Sequence, residues 1–232
     1  MTKILTVIPA RGGSKSIPRK NIKYFRGLPL IQYSIDYSLK SNLVEQTLVS
    51  TDDKEIAKVS QNLGAEVPFL RPVRLADDDV QDFPVFEHAL INAEQIYKKQ
   101  FDLVVLLRPT SPLRPKGLIE KGVELLLKNK QASSLRSVTC SLQHPYRQWY
   151  KDGDFIRGFV ENQKNIEPYN LPRQKLQKLF FQSGDIEIIK RETILSGSIS
   201  GKNVIPLLID QKDVHDIDSY SDFINAERKD EK

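Results

Sequence analysis

The sequence predicts an α/β fold of three layers, a mostly parallel sheet covered by helices on both faces. Three observations predict it: short apolar, β-branched runs read as buried strands, segments with apolar residues at helical spacing stand between them, and the two alternate as far as Ser133. Such alternation places ligands at the carboxyl ends of the strands.

Lys3 to Ile8 (KILTVI) is a β-branched run ended by Pro9, a buried strand feeding a loop. A turn-rich stretch follows from Ala10 to Asn21. Leu30 to Leu39 has helical spacing, and Leu48 to Ser50 closes the next strand. Asp53 to Leu63 opens with an acidic first turn and carries Ile56, Val59 and Leu63 on one helical face. Phe83 to Tyr97 is a further amphipathic helix, Leu103 to Leu107 a fully apolar strand and Leu118 to Leu127 the helix after it.

After Ser133 the pattern changes to strand-like runs, Leu135 to Cys140, Phe155 to Val160 and Phe180 to Ile189, separated by Gly, Pro and Asn. Residues 140–185 are therefore expected to form a β-rich insertion, a substrate cap and dimer arm within one domain spanning 1–232. Alternation resumes with a strand at Val204 to Ile209 and a last helix from Tyr220 to Glu227, and the charged tail from Glu227 to Lys232 is expected to fray.

Composition narrows the function. A chain of 232 residues buries a full core without staples, and its net charge of +5 suits anionic ligands. Lys and Arg are spread along it with no basic stripe or interleaved aromatics, which argues against nucleic acid as a partner. The single cysteine, Cys140, excludes a disulfide framework and a Cys-rich zinc site. No apolar run approaches the roughly 20 residues that cross a bilayer, so no membrane partner is expected. The first residues lack the pattern of a secretory signal, and the expected location is the cytoplasm.

The turn Ala10-Arg11-Gly12-Gly13-Ser14-Lys15 is the strongest local signal. Two glycines directly after a strand let backbone approach a ligand and point N–H groups at an anion, and Arg11, Lys15, Arg19 and Lys20 surround them with positive charge. Neither a Walker A loop nor a dinucleotide fingerprint fits this spacing. From residue types alone, a Gly-rich loop with solvated charges accounts for it as well as a triphosphate site does.

Resemblance decides between them. Ile8-Pro9-Ala10-Arg11-Gly12-Gly13-Ser14-Lys15 followed by Ile17-Pro18-Arg19-Lys20-Asn21 resembles the signature of the N-acylneuraminate cytidylyltransferase (CMP-sialic acid synthetase) family. Further matches follow in order: Leu48-Val49-Ser50-Thr51-Asp52-Asp53, Arg71-Pro72 with Leu75-Ala76 and Asp78, His88-Ala89-Leu90, Leu106 to Arg114, Arg173-Gln174, and Asp216-Ile217-Asp218 with Asp222. The resemblance implies a Rossmann-like nucleotidyltransferase fold, CTP and an acidic sugar as substrates, and a homodimer. It also implies that Ala10, Arg11, Gly12, Gly13, Ser14, Lys20 and Asn21 hold the nucleotide, with Arg11 and Lys20 on the phosphates, and that Arg71 reads the cytosine. An Arg fork suits the acceptor pair of that base.

Asp216 and Asp218 sit two apart, so an extended segment puts both carboxylates on one face, as ligands for a hard cation such as Mg2+. Capping of the helix near Tyr220 is the alternative role for either residue. The run Asp77-Asp78-Asp79 is expected to be a solvated loop, and His88 a packed helix histidine. Arg173 and Gln174 fall in the insertion, which in the family faces the sugar acid. This sequence departs from the family pattern there: Phe180 and Ser183-Gly184 replace the usual Tyr and Asn-Gly, and Arg108 stands where relatives carry a Gln that meets the sugar. Arg108, Arg173, Gln174 and Ser183 are the expected sugar-side residues. The departures leave open another acid, such as a 3-deoxy-octulosonate type, and a non-catalytic nucleotide-binding regulator is the alternative from a different class.

Overall fold

A computed structural model describes residues 2–160 and 167–228 of the chain. Part of the expected insertion, 161–166, and the tail 229–232 lie outside the described residues.

The central sheet contains six strands. In chain order the elements are β1 (Ile4–Pro9), a hairpin of β2 (Tyr24–Phe25) and β3 (Leu28–Pro29), α1 (Leu30–Leu39), β4 (Gln46–Ser50), α2 (Lys54–Asn62), α3 (Asp82–Tyr97), β5 (Leu103–Leu106) and α4 (Leu118–Lys128). They continue with β6 (Ser134–Cys140), β7 (Trp149–Asp152), β8 (Phe155–Gly158), β9 (Phe180–Lys190), α5 (Arg191–Leu195), β10 (Val204–Leu208) and α6 (Tyr220–Arg228). The sheet order is β10-β6-β9-β5-β1-β4. β1 pairs in parallel with β4 and β5, β10 pairs in parallel with β6, and β9 alone runs against its neighbours.

The apolar runs are continuous because both sheet faces are covered. Ile4, Ile8, Leu103 and Val105 join a core with Ile31 and Ile35 of α1, Ile56 of α2 and Val123 of α4. Leu5, Val7, Val104 and Leu106 point the other way, onto Val85, Phe86, Ala89 and Leu90 of α3 and Ile194 of α5. Each Val, Leu, Ile or Phe side chain among them contributes about 1.5–3 kcal/mol through burial. A third, small core joins Ile17, Phe25 and Leu30 to Ile217, Phe223 and Ala226. It pins the segment before α6 against the loop that follows β1.

The structure redraws one boundary. Residues 180–185 belong to the central sheet, where Phe180, Phe181 and Gln182 pair with Cys140, Thr139 and Val138. Hydrophobic alternation does not reveal this, because strand β9 returns to the sheet centre only after the excursion of the arm. A bulge interrupts it: between the pairs Arg136/Glu187 and Val138/Gln182, four residues of β9 oppose Ser137 alone. Gly184 takes φ +77° within it, and the Ile186 N–H donates to Ser137 Oγ at 3.0 Å. Outside the sheet, the described arm holds the antiparallel hairpin of β7 and β8.

Candidate active site

A cleft of about 470 Å³ opens where β1, β4 and β5 end. Arg11, Ser14, Lys15, Lys20 and Asn21 line it from the turn after β1, Arg71, Asp77, Asp78 and Asp82 from the stretch leading into α3, and Arg108 and Thr110 from the loop after β5.

The turn is held by a carboxylate of the loop that follows β4. The Gly12 N–H donates to Asp52 Oδ1 at 3.0 Å, and the Ser14 N–H donates to the Gly12 carbonyl at 3.1 Å. Two of the turn's N–H groups are thus used in shaping it, which corrects the expectation that successive N–H groups face the anion. The two glycines differ in what they permit. A Cβ at Gly12 would meet Asp53 Oδ2 at 2.9 Å, whereas one at Gly13 would meet no atom within 4 Å. Asp53 is also the N-cap of α2, accepting from the N–H groups of Glu55 and Ile56 at 2.9 Å, and it pairs with Arg19. That Arg19 pairing holds the Asp53 carboxyl below its usual range.

Asn21 is buried and donates through Nδ2 to the Arg11 carbonyl at 2.9 Å, so its first function is to brace the turn. Arg11 pairs with Asp78 at 2.7 Å and donates to the Ala76 carbonyl at 3.4 Å, while Lys15 pairs with the other oxygen of Asp78. All three aspartates stay exposed, as expected of a solvated loop, and one of them also has partners. Asp78 faces the turn's cations across the cleft, and Lys15 and Arg11 hold its carboxyl below the usual range.

Arg71 is buried at 5 % exposure and its backbone N–H donates to the Thr51 carbonyl at 2.7 Å. Burial lowers its pKa from the ordinary arginine value, and the Asp52 carboxylate 3.8 Å away opposes that effect. Its Nε, buried and without a hydrogen-bond partner, is a donor left over for a ligand in a cleft that Arg71 lines. His88 is packed, as expected, edge-on to Phe69 at 5.1 Å.

Lys20 links the turn to the far end of the chain. Its Nζ donates to the Ile217 carbonyl at 3.0 Å and lies 3.6 Å from Asp218. The Ile217 N–H donates in turn to the Thr110 carbonyl at 2.8 Å, fixing this segment to the cleft edge. Ile217 is fully buried, while Asp216 and Asp218 on either side of it are exposed. Neither caps α6. Ser219 and Asp222 perform that function, with the Ser219 N–H donating to Asp222 Oδ2 at 2.8 Å and the Asp222 N–H to Ser219 Oγ at 3.2 Å. Solvent loss to the surrounding protein, together with the Asp218 carboxylate, raises the pKa of Asp216 despite its exposed surface. A like-charged pair left free of capping fits a hard dication, which takes oxygen ligands and keeps several waters. No group of three or more His, Cys, Asp or Glu side chains suited to a metal occurs among the described residues, so the remaining ligands would be water and substrate oxygens.

On the other side of the cleft Arg108 pairs with Asp82 and, at 2.6 Å, with Glu187. Burial opposes its charge, but those two carboxylates outweigh burial and hold its pKa above the ordinary value. Arg114 lies beneath, donating to the carbonyls of Asp185 and Arg108 and, at 3.0 Å, to Ser34 Oγ. Burial lowers its pKa to about 10. Ser183 is buried in the bulge with its Oγ unpartnered, and Arg173 and Gln174 stand on an exposed 3-10 turn of the arm. Those three do not line the cleft.

Sequence reasoning missed Asp52 and Asp53 as builders of the turn, and Asp82, Glu187 and Arg114 as builders of the opposite wall. An acidic pair directly after a strand was a usable signal for the first two. The others depend on pairings between distant strands.

A basic turn after β1, an arginine at the cleft floor and a carboxylate pair joined to the turn by lysine define the chain as a nucleotidyltransferase. Comparison with known proteins agrees: the family described as cytidylyltransferase matches residues 5–215, and the chain belongs to it. It is 34% identical over 226 residues to the post-translational flagellin modification protein B of Campylobacter coli, covering 96% of this chain and 93% of that one. With a pseudaminic acid cytidylyltransferase of Campylobacter jejuni it shares 35% over 182 residues (78% and 76%), and with a CMP-N,N'-diacetyllegionaminic acid synthase of the same species 34% over 227 residues (96% and 93%). Among solved structures, a CMP:2-keto-3-deoxy-manno-octonic acid synthetase complexed with CTP superposes with a TM-score of 0.71 over 97% of both chains at 14% identity, a likeness of fold.

Proposed function

We propose that this enzyme transfers CMP from CTP to the anomeric hydroxyl of an N-acylated nonulosonic acid, a nine-carbon 2-keto sugar acid, releasing pyrophosphate. The observation that carries this reading is Lys20, which joins the phosphate turn to the Asp216–Asp218 segment. The names of the relatives support the acceptor class, since a pseudaminic acid and an N,N'-diacetyllegionaminic acid enzyme are each about one-third identical to this chain.

In this reading the sugar oxygen attacks the α-phosphorus in line, forming the new phosphoester bond as the bond to the β-phosphate oxygen breaks. Arg11, Lys15 and Lys20 neutralise the triphosphate and the departing pyrophosphate, with Arg11 and Lys15 exchanging Asp78 for phosphate oxygens. Gly13, Ser14 and Asn21 support the nucleotide from the turn, and Arg71 turns its guanidinium to the acceptor atoms of cytosine. Asp216 and Asp218 would hold Mg2+, which when bound supplies charge neutralisation at the α-phosphate and lowers the pKa of the attacking hydroxyl. Arg108 faces the acceptor. Arg173, Gln174 and Ser183 reach it only from the arm and the bulge, so their contribution needs the arm to cover the cleft.

A homodimer in the cytoplasm completes the proposal. The arm exposes Trp149, Phe155 and Phe159, with Phe155 at 73%, and a second copy of the chain is the occupant proposed for that apolar surface. Among the described residues, no helix is long and apolar enough to cross a membrane.

Pyrophosphate release measured with each of the four ribonucleoside triphosphates, Mg2+ and a panel of sugar acids tests the proposal. CTP with a nonulosonic acid should turn over fastest. Preference for another nucleotide, or for an eight-carbon acid, would replace it.

A further inference from the structure

Glu187 is 1% exposed and stands in the middle of the sheet, where an unpaired carboxylate is costly to bury. It has a guanidinium on each oxygen: Arg108 Nη1 at 2.6 Å on Oε1 and Arg136 Nη2 at 2.7 Å on Oε2. Gln182 Nε2 donates to Oε1 at 3.2 Å, and Gln182 Oε1 accepts from Arg136 Nη1 at 2.9 Å. The result is a closed polar frame behind the cleft, and its one member facing the cleft is Arg108. Arg108 in turn pairs with Asp82, which lines the cleft and keeps 42% of its side chain exposed.

The frame fixes a charge-balanced pair on the cleft wall. A carboxylate at Asp82 repels the triphosphate and the acid group of a sugar alike, so the pair suits a neutral substituent. A guanidinium has five N–H donors, and pairing with two carboxylates leaves donors over, while Asp82 presents acceptors only. A rigid donor beside a rigid acceptor complements a secondary amide, whose carbonyl accepts and whose N–H donates. Resting on the acceptor class proposed above, we infer that Asp82 and Arg108 form one recognition pair for an acylamino substituent of the acceptor, with Glu187 as the positioning residue that holds the pair in place.

The test uses the full-length enzyme, saturating CTP and two nonulosonic acids that differ at one carbon, acylamino in one and hydroxyl in the other. Asp82→Ala should raise the KM for the acylamino acid about tenfold or more and that for the hydroxy acid by less than about threefold, leaving KM for CTP unchanged. Glu187→Gln, which never touches the acceptor, should narrow the preference between the acids in the same direction. Equal losses on both acids in Asp82→Ala, or a raised KM for CTP there, overturn the inference alone. Absence of wild-type turnover with either acid overturns the acceptor class and this inference with it.

Discussion

Lys20 and Asp218, 198 residues apart in sequence, lie 3.6 Å from each other at the mouth of the cleft. The small core of Ile17, Phe25, Ile217 and Phe223 brings them together, so a packing event far from the chemistry sets the distance between the phosphate turn and the carboxylate pair. Lys20→Met should therefore lower kcat by about 100-fold, the scale of removing one preorganised charge from a transition state. Its thermal midpoint should fall as well, because the carbonyl of the fully buried Ile217 loses its donor, a loss of about 1–3 kcal/mol. Stopped-time pyrophosphate assays and a melting curve on the same sample measure both.

Gly12 and Gly13 look equivalent in the sequence and are not equivalent in the structure. Gly12→Ala pushes a methyl onto Asp53, the residue that caps α2 and pairs with Arg19, and should destabilise the protein by about 1–3 kcal/mol while raising KM for CTP. Gly13→Ala meets no protein atom and should leave stability unchanged, with any loss confined to CTP binding. Urea titrations paired with CTP binding isotherms separate the two effects.

Arg114 serves as an internal strut between the loop after β5 and the bulge of β9. Arg114→Ala would strand the Asp185 carbonyl, and a buried group left unsatisfied costs about 1–3 kcal/mol, whereas the Arg108 carbonyl keeps its bonds from Ser34 Oγ and the Ser111 N–H. Chemical denaturation should show a loss of about 1–3 kcal/mol. Arg114→Lys should recover only part of it, since an ammonium cannot span three acceptors held in a fork.

Burial, then Arg74 and Arg71, lower the pKa of His88 below the ordinary value, so the folded state favours the neutral imidazole. The unfolded chain takes up that proton near pH 6.5, so this part of the stability is present above that pH and is lost as pH falls through it. His88→Gln should flatten the decline in stability between about pH 7 and 5, and denaturation midpoints across that range report it.

Much of this was legible in the sequence because periodicity and strand-ending turns are local. Leu30–Leu39 coincides with α1 residue for residue, and the run from Lys3 marks β1 within a residue. Local signals also exposed the turn from Ala10 to Lys15 and the Asp216-Ile217-Asp218 triplet. Hidden from the sequence were relationships made by strand order. Nothing in Phe180 to Lys190 announces a strand that enters the sheet antiparallel between β5 and β6, and without that placement Glu187 cannot be seen behind Arg108. The partners of Asp78 were hidden for a related reason: an exposed run of three aspartates gives no sign of Arg11 and Lys15, which the fold sets opposite it.

In the proposed mechanism the turn and the carboxylate pair form one transfer centre in which binding and chemistry are separable. Asp216→Ala tests it most directly, with CTP affinity and pyrophosphate release in the presence of Mg2+ and the sugar acid measured on the same preparation. CTP should bind with nearly wild-type affinity and turnover should be abolished. Unchanged turnover would contradict that mechanism and leave the pair with no part in the reaction.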